Sequence, residues 1–316
     1  MKPLIYVDGG AGTTGLEIVA RLRERDDLSL VLLSDSKRKD FEARSQALNE
    51  ADIAILCLPD EAAREAVAAI RNQSTRVLDA SSVHRISANW TYGFPELEAN
   101  RREAIAEAGR VSNPGCYATG FLGLVRPLVR AGVIPPAFPL SVNAISGYSG
   151  GGKMMIAEFE NADSHHYTKG VARTYALTLA HKHVPEMQLH AGLAHPPVFA
   201  PTVARFYRGM IVEVPLQLWA LPGSPSILAI HRILSDAYAD HPLMEVAELE
   251  SSRAMAALDP ELLSRSDRMK LFVFGNEKRE QVRLVAVLDN LGKGAGGAAV
   301  QNLNVMLGMP ETRGLR

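Results

Sequence analysis

The chain has 316 residues, of which 47% are hydrophobic and 22% are charged, so it can bury a sizeable core and is long enough for two domains. Its 34 basic and 35 acidic residues nearly cancel and form no basic stripe, which argues against a nucleic-acid-binding protein. The sequence contains no run of about 18 apolar residues, so it predicts no membrane span. Because the start lacks a signal-peptide pattern and two cysteines make neither a disulfide framework nor a zinc set, we expect a soluble, cytoplasmic protein without a bound metal.

The first part of the chain alternates apolar strand patterns with amphipathic helix patterns. The predicted strands are 4–8, 28–34, 51–59 and 76–81, and the predicted helices are 14–25 and 61–70. The strands are nearly unbroken apolar runs, which is typical of a parallel sheet covered by helices on both faces. This alternation predicts an α/β Rossmann nucleotide-binding domain over residues 1–113.

Beyond this domain the predicted strands become longer and the helices fewer. The predicted helices are 117–132, with Pro127 as a kink, and 226–240, and the predicted strands are 139–147, 197–206, 209–218, 269–276 and 280–290. This pattern favours an α+β second domain of mixed or antiparallel sheet over residues 114–293. We expect the last helix, within about 294–316, to pack back on the first domain.

The first predicted strand leads directly into a glycine-rich loop, GGAGTTG at 9–15. Two spacings coexist in this loop, G-x-G-x-x-G and G-x-x-G-x-x-G. Such glycines let the backbone turn tightly and let a pyrophosphate approach the amides at the start of the following helix. The loop is therefore the predicted dinucleotide site, with a plain structural turn as the alternative. The cofactor-binding candidates in it are Gly9, Gly12, Thr13, Thr14 and Gly15.

The segment after the second strand leaves the choice of dinucleotide open. Asp35 stands 20 residues after Gly15, near where an acidic residue would take the ribose 2′-hydroxyl of NAD. Its polar and basic neighbours could instead hold the 2′-phosphate of NADP. These neighbours are Ser34, Ser36, Lys37 and Arg38. A solvated loop without a ligand is the third interpretation.

Cys116 stands at the mouth of a predicted helix, directly after the turn residues Pro114 and Gly115. Backbone amides at a helix N-terminus stabilise a thiolate, and they can also stabilise the oxyanion of a carbonyl under attack. Cys116 is therefore the candidate nucleophile. Cys57 lies within an apolar strand and is interpreted as a small buried hydrophobe.

A thiolate nucleophile needs a proton-transfer partner, and the segment HKHVPE at 181–186 contains the candidates. His181 and His183 are separated by one residue and are followed by Pro185, which predicts a defined loop ahead of a helix. A metal site and an ordinary surface pair of histidines are the alternatives. No third ligand stands nearby at a typical spacing.

Four segments together resemble the short form of the N-acetyl-γ-glutamyl-phosphate reductase family: SNPGCY, HKHVPE, SGYSGGGK (146–153) and DNLGKGAGGAAVQNLNVMLGMPET (289–312). DASSVHR (79–85) and YGFPEL (92–97) fit as well, so the likeness runs almost from end to end. The resemblance implies NADP(H) as cofactor, arginine biosynthesis as the pathway, and a homo-oligomer, either a dimer or a tetramer. One departure is Asp8-Gly9-Gly10, where the longer form of the family commonly reads Gly-Ala.

The reaction that the resemblance implies is the reduction of N-acetyl-γ-glutamyl phosphate to N-acetylglutamate semialdehyde and phosphate. Cys116 would attack the acyl phosphate, hydride from NADPH would reduce the thioester, and His181, with His183 behind it, would act as acid and base. The other implied site residues are Ser149, Gly150 and Asn290 for the cofactor, and Arg85, Ser146, Gly147 and Lys153 for the substrate.

Other functions stay open at this point. Aspartate-semialdehyde dehydrogenase shares the fold and the thioacyl chemistry, but its catalytic histidine typically follows an arginine in a strand, and the comparable strand 203–214 contains no histidine. A reductase for a carrier-bound or α-aminoadipyl analogue is another alternative. A non-catalytic NADP-sensing regulator is disfavoured, because it would have no need for Cys116 together with HKHVPE.

Overall fold

The computed structural model describes residues 2–316, and the chain divides into two compact units. One unit comprises the chain up to Gly115 together with Ala295–Arg316, and the other comprises Cys116–Gly294. Each unit contains its own sheet. In the part of the chain described, no helix is long and apolar enough to cross a bilayer.

The first unit is a parallel sheet whose strands alternate with helices. Up to Gly115 its elements are β1 (Leu4–Asp8), α1 (Thr13–Leu22), β2 (Ser29–Val31), α2 (Phe41–Glu50), β3 (Ile53–Leu56), α3 (Asp60–Ala69), β4 (Arg76–Asp79), β5 (Thr91–Tyr92), α4 (Arg101–Glu107) and β6 (Arg110–Ser112). The strand order is β2-β1-β3-β4-β6-β5, and every neighbouring pair is parallel. The predicted Rossmann class of this unit is confirmed.

The central strands of this sheet are apolar throughout because both of their faces are covered. Side chains alternate along β1, so Ile5 packs with Ile18 of α1 on one face. Tyr6 points to the other face and packs with Leu48 of α2. This double coverage holds the carboxyl end of β1, and the glycine loop that follows it, in a fixed place.

The second unit contains a mixed sheet, as predicted. Its elements are α5 (Cys116–Arg130), β7 (Ser141–Gly147), α6 (Gly152–Glu160), β8 (Ala172–Thr174), α7 (Val184–Ala191), β9 (Val198–Ala204), β10 (Met210–Gln217), α8 (Ile227–Tyr238), β11 (Met244–Val246), α9 (Leu249–Arg253), β12 (Met269–Asn276) and β13 (Gln281–Leu288). The strand order is β11-β12-β13-β10-β7-β9-β8. The pairs β7–β9 and β11–β12 are parallel, and the other neighbours are antiparallel.

Several short or weakly patterned elements were not predicted from the sequence. Helices α2, α4, α6 and α9 and strands β5, β8 and β11 were not predicted. The segment after β7, expected as a glycine-rich loop, forms a 3₁₀ turn over Tyr148–Gly151 and then enters α6. Glycine has a poor helix propensity, so the pattern of this segment favours a loop, whereas tertiary packing overrides that preference.

Helix α5 carries the candidate nucleophile and continues through Pro127. Proline has no N–H, so Pro127 leaves the carbonyl of Gly123 without its helical donor. The hydroxyl of Tyr238, on α8, donates to that carbonyl at 2.8 Å. The freed acceptor is satisfied in this way, and α5 extends from Cys116 to Arg130.

The chain leaves the second sheet through a π-helical turn, Gly292–Gly296, and ends in α10 (Gly297–Met306). Every residue of α10 is buried, and its polar side chains are hydrogen-bonded within the first unit. Asn302 donates through Nδ2 to the carbonyl of Gly93 at 2.7 Å and to Oδ1 of Asn113 at 3.0 Å. Through the second bond, α10 anchors the turn that precedes Cys116.

Candidate active site

Cys116 is the first residue of α5, one residue before the predicted start of this helix. The first-turn amides, which have no acceptor within a helix, therefore lie at the end where the thiol stands. Cys116 forms no disulfide and is partly exposed. Burial, together with the nearby Asp79 and Asp8, raises the pKa of the other thiol, Cys57, to about 12, so Cys57 stays protonated.

Asn113 fixes the turn that leads into Cys116. Its N–H donates to the carbonyl of Asp79 at 2.7 Å, and its Nδ2 donates to the carbonyl of Ala295 at 3.0 Å. Its own carbonyl accepts from Nε of Arg85 at 3.0 Å. Arg85, the predicted phosphate ligand, also donates to the carbonyl of Ala80 and thus braces this turn within the first unit.

The two predicted histidines meet around Tyr117, the residue after Cys116. The ring of Tyr117 is only 5% exposed, and its centroid lies 5.9 Å from that of His181 and 5.8 Å from that of His183. Phe199, on β9, closes the cluster at 5.1 Å. Tyr117 was not predicted as a site residue from the sequence, although it is part of the SNPGCY segment.

The two histidines differ in exposure and in hydrogen bonding. His183 is buried at 5% exposure and precedes α7, whereas His181 is half-buried. The backbone N–H of His183 donates to Nδ1 of His181 at 3.1 Å. A nitrogen that accepts from an N–H carries no proton, so the proton of the neutral His181 ring lies on Nε2.

A second tyrosine joins this cluster. The hydroxyl of Tyr175 donates to the hydroxyl of Tyr117 at 3.0 Å. Burial is the largest cause that raises the pKa of both phenols, to about 12 for Tyr175 and well above the ordinary value for Tyr117. The side chain of Ser146 has the opposite effect and lowers the pKa of Tyr117. Because burial has the larger effect, both phenols stay neutral near pH 7, and both rings contact His181.

The predicted residues that follow β7 and β13 also lie together. Ser149 is 1% exposed, and its Oγ accepts from Nδ2 of Asn290 at 2.9 Å. A Cβ atom placed on Gly150 would lie 3.3 Å from Nδ2 of Asn290 and 3.6 Å from Oγ of Ser146. Gly147 is the last residue of β7, next to Ser146. The second unit thus gathers residues from distant parts of the chain into one buried polar cluster.

Lys153 differs from these residues in its placement. It lies in the first turn of α6 and is exposed. Its ammonium group can meet a charged ligand only from the solvent side.

In the first unit, the glycine loop fits a dinucleotide phosphate. Gly9 has a φ of +81°, and the N–H of Gly12 donates to its carbonyl at 2.9 Å. A Cβ atom on Gly15 would lie 2.3 Å from the same carbonyl, so only glycine fits there. Helix α1 begins at Thr13 and has no side-chain cap, so its first amides suit an anion.

The segment 34–38, which is expected to discriminate between NAD and NADP, forms a tight turn. The hydroxyl oxygens of Ser34 and Ser36 lie 3.0 Å apart, and the N–H groups of Lys37 and Arg38 both donate to the carbonyl of Ser34 at 2.9 Å. Asp35 is exposed and forms an ion pair with Arg38 at 3.3 Å. The two hydroxyls and the two cations give this turn the chemistry of a phosphate site.

The unusual Asp8 has a structural explanation. It is 3% exposed, and its Oδ2 accepts from Nη2 of Arg44 at 2.9 Å and from Nε at 3.1 Å. Burial and the neighbouring Asp8 raise the pKa of Tyr6. The ion pair offsets the cost of burying a carboxylate directly before the glycine loop.

No group of three or more His, Cys, Asp or Glu side chains within residues 2–316 could hold a metal ion.

Two family models match the chain. The model described as "Semialdehyde dehydrogenase, NAD binding domain" matches residues 5–108. The model described as "Semialdehyde dehydrogenase, dimerisation domain" matches residues 116–290, more than half of the chain.

The chain is also similar to curated proteins over nearly its whole length. It is 53% identical, over 309 residues, to a protein of Brucella anthropi named N-acetyl-gamma-glutamyl-phosphate reductase, and the match covers 98% of this chain and 99% of that protein. A protein of the same name from Brucella ovis is likewise 53% identical, with 98% and 100% covered.

Solved structures with a similar fold are more distant in sequence. Aspartate semialdehyde dehydrogenase II from Vibrio cholerae has a TM-score of 0.74 at 17% identity, with 97% of this chain and 99% of that chain covered. The aspartate semialdehyde dehydrogenase from Francisella tularensis has a TM-score of 0.71 at 14% identity, with 96% and 100% covered. These structures establish the fold alone.

Proposed function

Since the chain belongs to the N-acetyl-γ-glutamyl-phosphate reductase family, we propose that it reduces N-acetyl-γ-glutamyl phosphate with NADPH to N-acetylglutamate semialdehyde and phosphate. The observation that carries the proposal is the cluster of both histidines around Tyr117, directly beside Cys116 at the start of α5. The reaction is a step of arginine biosynthesis and takes place in the cytoplasm.

Cys116 is the nucleophile. Its thiolate attacks the acyl carbon, so that a C–S bond forms and the C–O bond to phosphate breaks, with phosphate leaving with the electron pair. The first amides of α5 stabilise both the thiolate and the oxyanion of the tetrahedral intermediate. The product of this half-reaction is a thioester on Cys116.

The cofactor is NADP(H), held by the glycine loop Gly9–Gly15 and the amides of Thr13 and Thr14. The left-handed Gly9 and the lack of room at Gly15 support this assignment, because they leave a bare backbone cradle for a pyrophosphate. Ser34, Lys37 and Arg38 take the 2′-phosphate. When bound, NADPH supplies the hydride that reduces the thioester.

His181 is the acid and base. Its Nδ1 accepts from the backbone of His183, so its Nε2 is the nitrogen that exchanges a proton. In the imidazolium form, which carries a proton on each ring nitrogen, Nε2 gives its proton to the oxyanion of the thiohemiacetal and takes it back as the C–S bond breaks, which releases the aldehyde and the thiolate. His183 is buried against Tyr117 and supports the ring of His181.

The remaining site residues contact the two ligands. Asn290, Ser149 and Gly150 contact the cofactor, supported by the hydrogen bond between the side chains of Asn290 and Ser149. Ser146 and Gly147 contact the substrate at the end of β7. Lys153 and Arg85 contribute positive charge toward the substrate phosphate, although Arg85 also braces the turn at Asn113.

The protein is a homo-oligomer, either a dimer or a tetramer. On one face of the second sheet the alternate residues of β7 and β9 are exposed, and the register sets Ser141 beside Val198 and Asn143 beside Ala200. An open sheet face of this kind suits contact with a second copy, in line with the description of the matching model as a dimerisation domain. Light scattering coupled to size-exclusion chromatography measures the state directly.

The reaction run in reverse tests the proposed function. Wild type and Cys116→Ser receive N-acetylglutamate semialdehyde, phosphate and NADP, and NADPH formation is followed by absorbance. We expect NADPH from wild type and almost none from the variant. No NADPH from wild type, or equal rates from both proteins, would refute the proposal.

Two parallel reactions decide between the candidate substrates and cofactors. One replaces the semialdehyde by aspartate semialdehyde, and the other replaces NADP by NAD. A higher kcat/KM with aspartate semialdehyde would assign the chain to the aspartate-semialdehyde dehydrogenase reaction instead. A higher kcat/KM with NAD would contradict the phosphate-binding role of Ser34, Lys37 and Arg38.

A further inference from the structure

Asp289 is a fully buried carboxylate directly after β13. Its Oδ2 accepts from Nε of Arg208 at 2.6 Å and from the backbone N–H of Arg265. Its Oδ1 accepts from the N–H groups of Leu291 and Gly292 at 2.8 and 3.2 Å. Both oxygens are thus committed to the protein, and the charge is paired with a guanidinium.

The same residue also starts an unusual turn. The backbone carbonyl of Asp289 accepts from the N–H of Gly292 at 3.1 Å and from that of Gly294 at 2.9 Å. From Gly292 to Gly296 the chain forms a π-helical turn. Such turns are rare and occur frequently at functional sites. Asp289 supports this one through its side chain and its backbone together.

This turn lies directly against the candidate nucleophile. A Cβ atom placed on Gly294 would be 2.8 Å from Cβ of Cys116 and 3.0 Å from the carbonyl oxygen of Asp289. Real Cβ atoms essentially never come so close to their neighbours, so the backbone of Gly294 fills the space beside Cys116. A shift of this turn would therefore displace the side chain of Cys116.

The residue after Asp289, Asn290, connects this turn to the buried polar cluster around Ser149. Oδ1 of Asn290 accepts from the N–H of Gly209 at 2.8 Å, and its Nδ2 donates to Ser149. Gly209 directly follows Arg208, the partner of Asp289, and it has a φ of +110°. The ion pair of Asp289 and Arg208 is thus connected to both the turn at Cys116 and the polar cluster of Asn290 and Ser149.

We propose that Asp289 is a positioning residue, which holds the turn Leu291–Gly294 against Cys116 and so places the thiol for attack. The inference rests on the proposed function only in treating Cys116 as the nucleophile. Asp289 acts through the backbone of Gly294 and touches neither substrate nor cofactor.

The first experiment compares Asp289→Asn with a control of similar destabilisation. Val285→Ala is a suitable control, because Val285 lies on β13, the strand that ends directly before Asp289, in an apolar cluster with Phe272 and Val287. The readouts are kcat, the KM for NADPH, the melting temperature, and the rate at which iodoacetamide alkylates Cys116, followed by peptide mass with the half-buried Cys57, whose thiol stays protonated, as reference.

In Asp289→Asn we expect kcat to fall by about tenfold to a hundredfold, because a small misplacement of a reacting group lowers the rate by that order. The KM for NADPH should stay nearly unchanged. The alkylation rate of Cys116 should change as well. In Val285→Ala only the melting temperature should fall. If Asp289→Asn loses thermal stability but matches Val285→Ala in kcat and in alkylation, the positioning role is wrong.

A second variant keeps the test decisive if Asp289→Asn does not fold. Gly294→Ala leaves the carboxylate intact but places a methyl group against Cys116, and we expect the same loss in kcat. Wild-type kcat in Gly294→Ala would contradict the proposal. Failure of the proposed function is seen separately: wild type would then form no NADPH, or Cys116→Ser would keep the wild-type rate, while alkylation of Cys116 would still respond to Asp289→Asn.

Discussion

The hydroxyl of Tyr117 offers the sharpest probe of the site. Tyr117→Phe keeps the ring that contacts both histidines and removes only the hydroxyl, whose oxygen accepts from Tyr175 at 3.0 Å. A buried donor left without its acceptor costs about 1–3 kcal/mol. If that cost is borne in the transition state, kcat/KM falls by about fivefold to a hundredfold, since about 1.4 kcal/mol equals a factor of ten.

A double-mutant cycle checks this reasoning. Initial rates of NADPH oxidation are measured for Tyr117→Phe, Tyr175→Phe and the double variant, and urea unfolding is measured in parallel. When both hydroxyls are gone no donor is orphaned, so the double variant should lose less than the sum of the single losses, with a coupling of about 1 kcal/mol. Additive losses, or a kcat/KM within about twofold of wild type for Tyr117→Phe, would refute the link between the tyrosine pair and the site.

Three further outcomes follow from the structure. Gly15→Ala places a methyl group 2.3 Å from the carbonyl of Gly9, so the Kd for NADPH measured by calorimetry should rise by about tenfold or more. Arg76 donates to carbonyls at the C-terminal ends of α4 and α10, so Arg76→Met should lower the free energy of unfolding by about 3 kcal/mol in urea. The fold raises the pKa of Tyr175 to about 12, so this phenol contributes fully to the free energy of unfolding below pH 10. That contribution is lost as the pH rises toward 12, and Tyr175→Phe should therefore flatten the alkaline decline of the free energy of unfolding. Unchanged values in any of the three would contradict the corresponding contact.

The parts of the fold with strong periodicity were predictable from the sequence. The unbroken apolar runs of β1 and β3 indicate a doubly covered sheet, and the structure has one. The position of Cys116 at a helix start was also predictable, because Pro114 and Gly115 end the preceding strand pattern. Element ends were less certain: α1 stops at Leu22, since its apolar face ends there.

The parts that depend on distant contacts could not be read from local sequence. Tyr175 contacts Tyr117, which lies 58 residues away in the chain, and no sequence pattern near Tyr175 predicts this contact. Asp8 looks like a misplaced charge until Arg44 is seen beside it. The burial of the Asp289 carboxylate is likewise explained only by its ion pair with Arg208. Tyr117 itself had a signal, since it adjoins the candidate nucleophile.

The most direct test of the account is to trap the thioester on Cys116. The enzyme is mixed with N-acetylglutamate semialdehyde and NADP in the absence of phosphate, so that the acyl group has no phosphate to accept it. We predict a burst of about one NADPH per active chain, together with an N-acetylglutamyl adduct on the peptide that contains Cys116, detected by mass spectrometry. NADPH formation without an adduct on Cys116, or an equal burst from Cys116→Ser, would contradict the account.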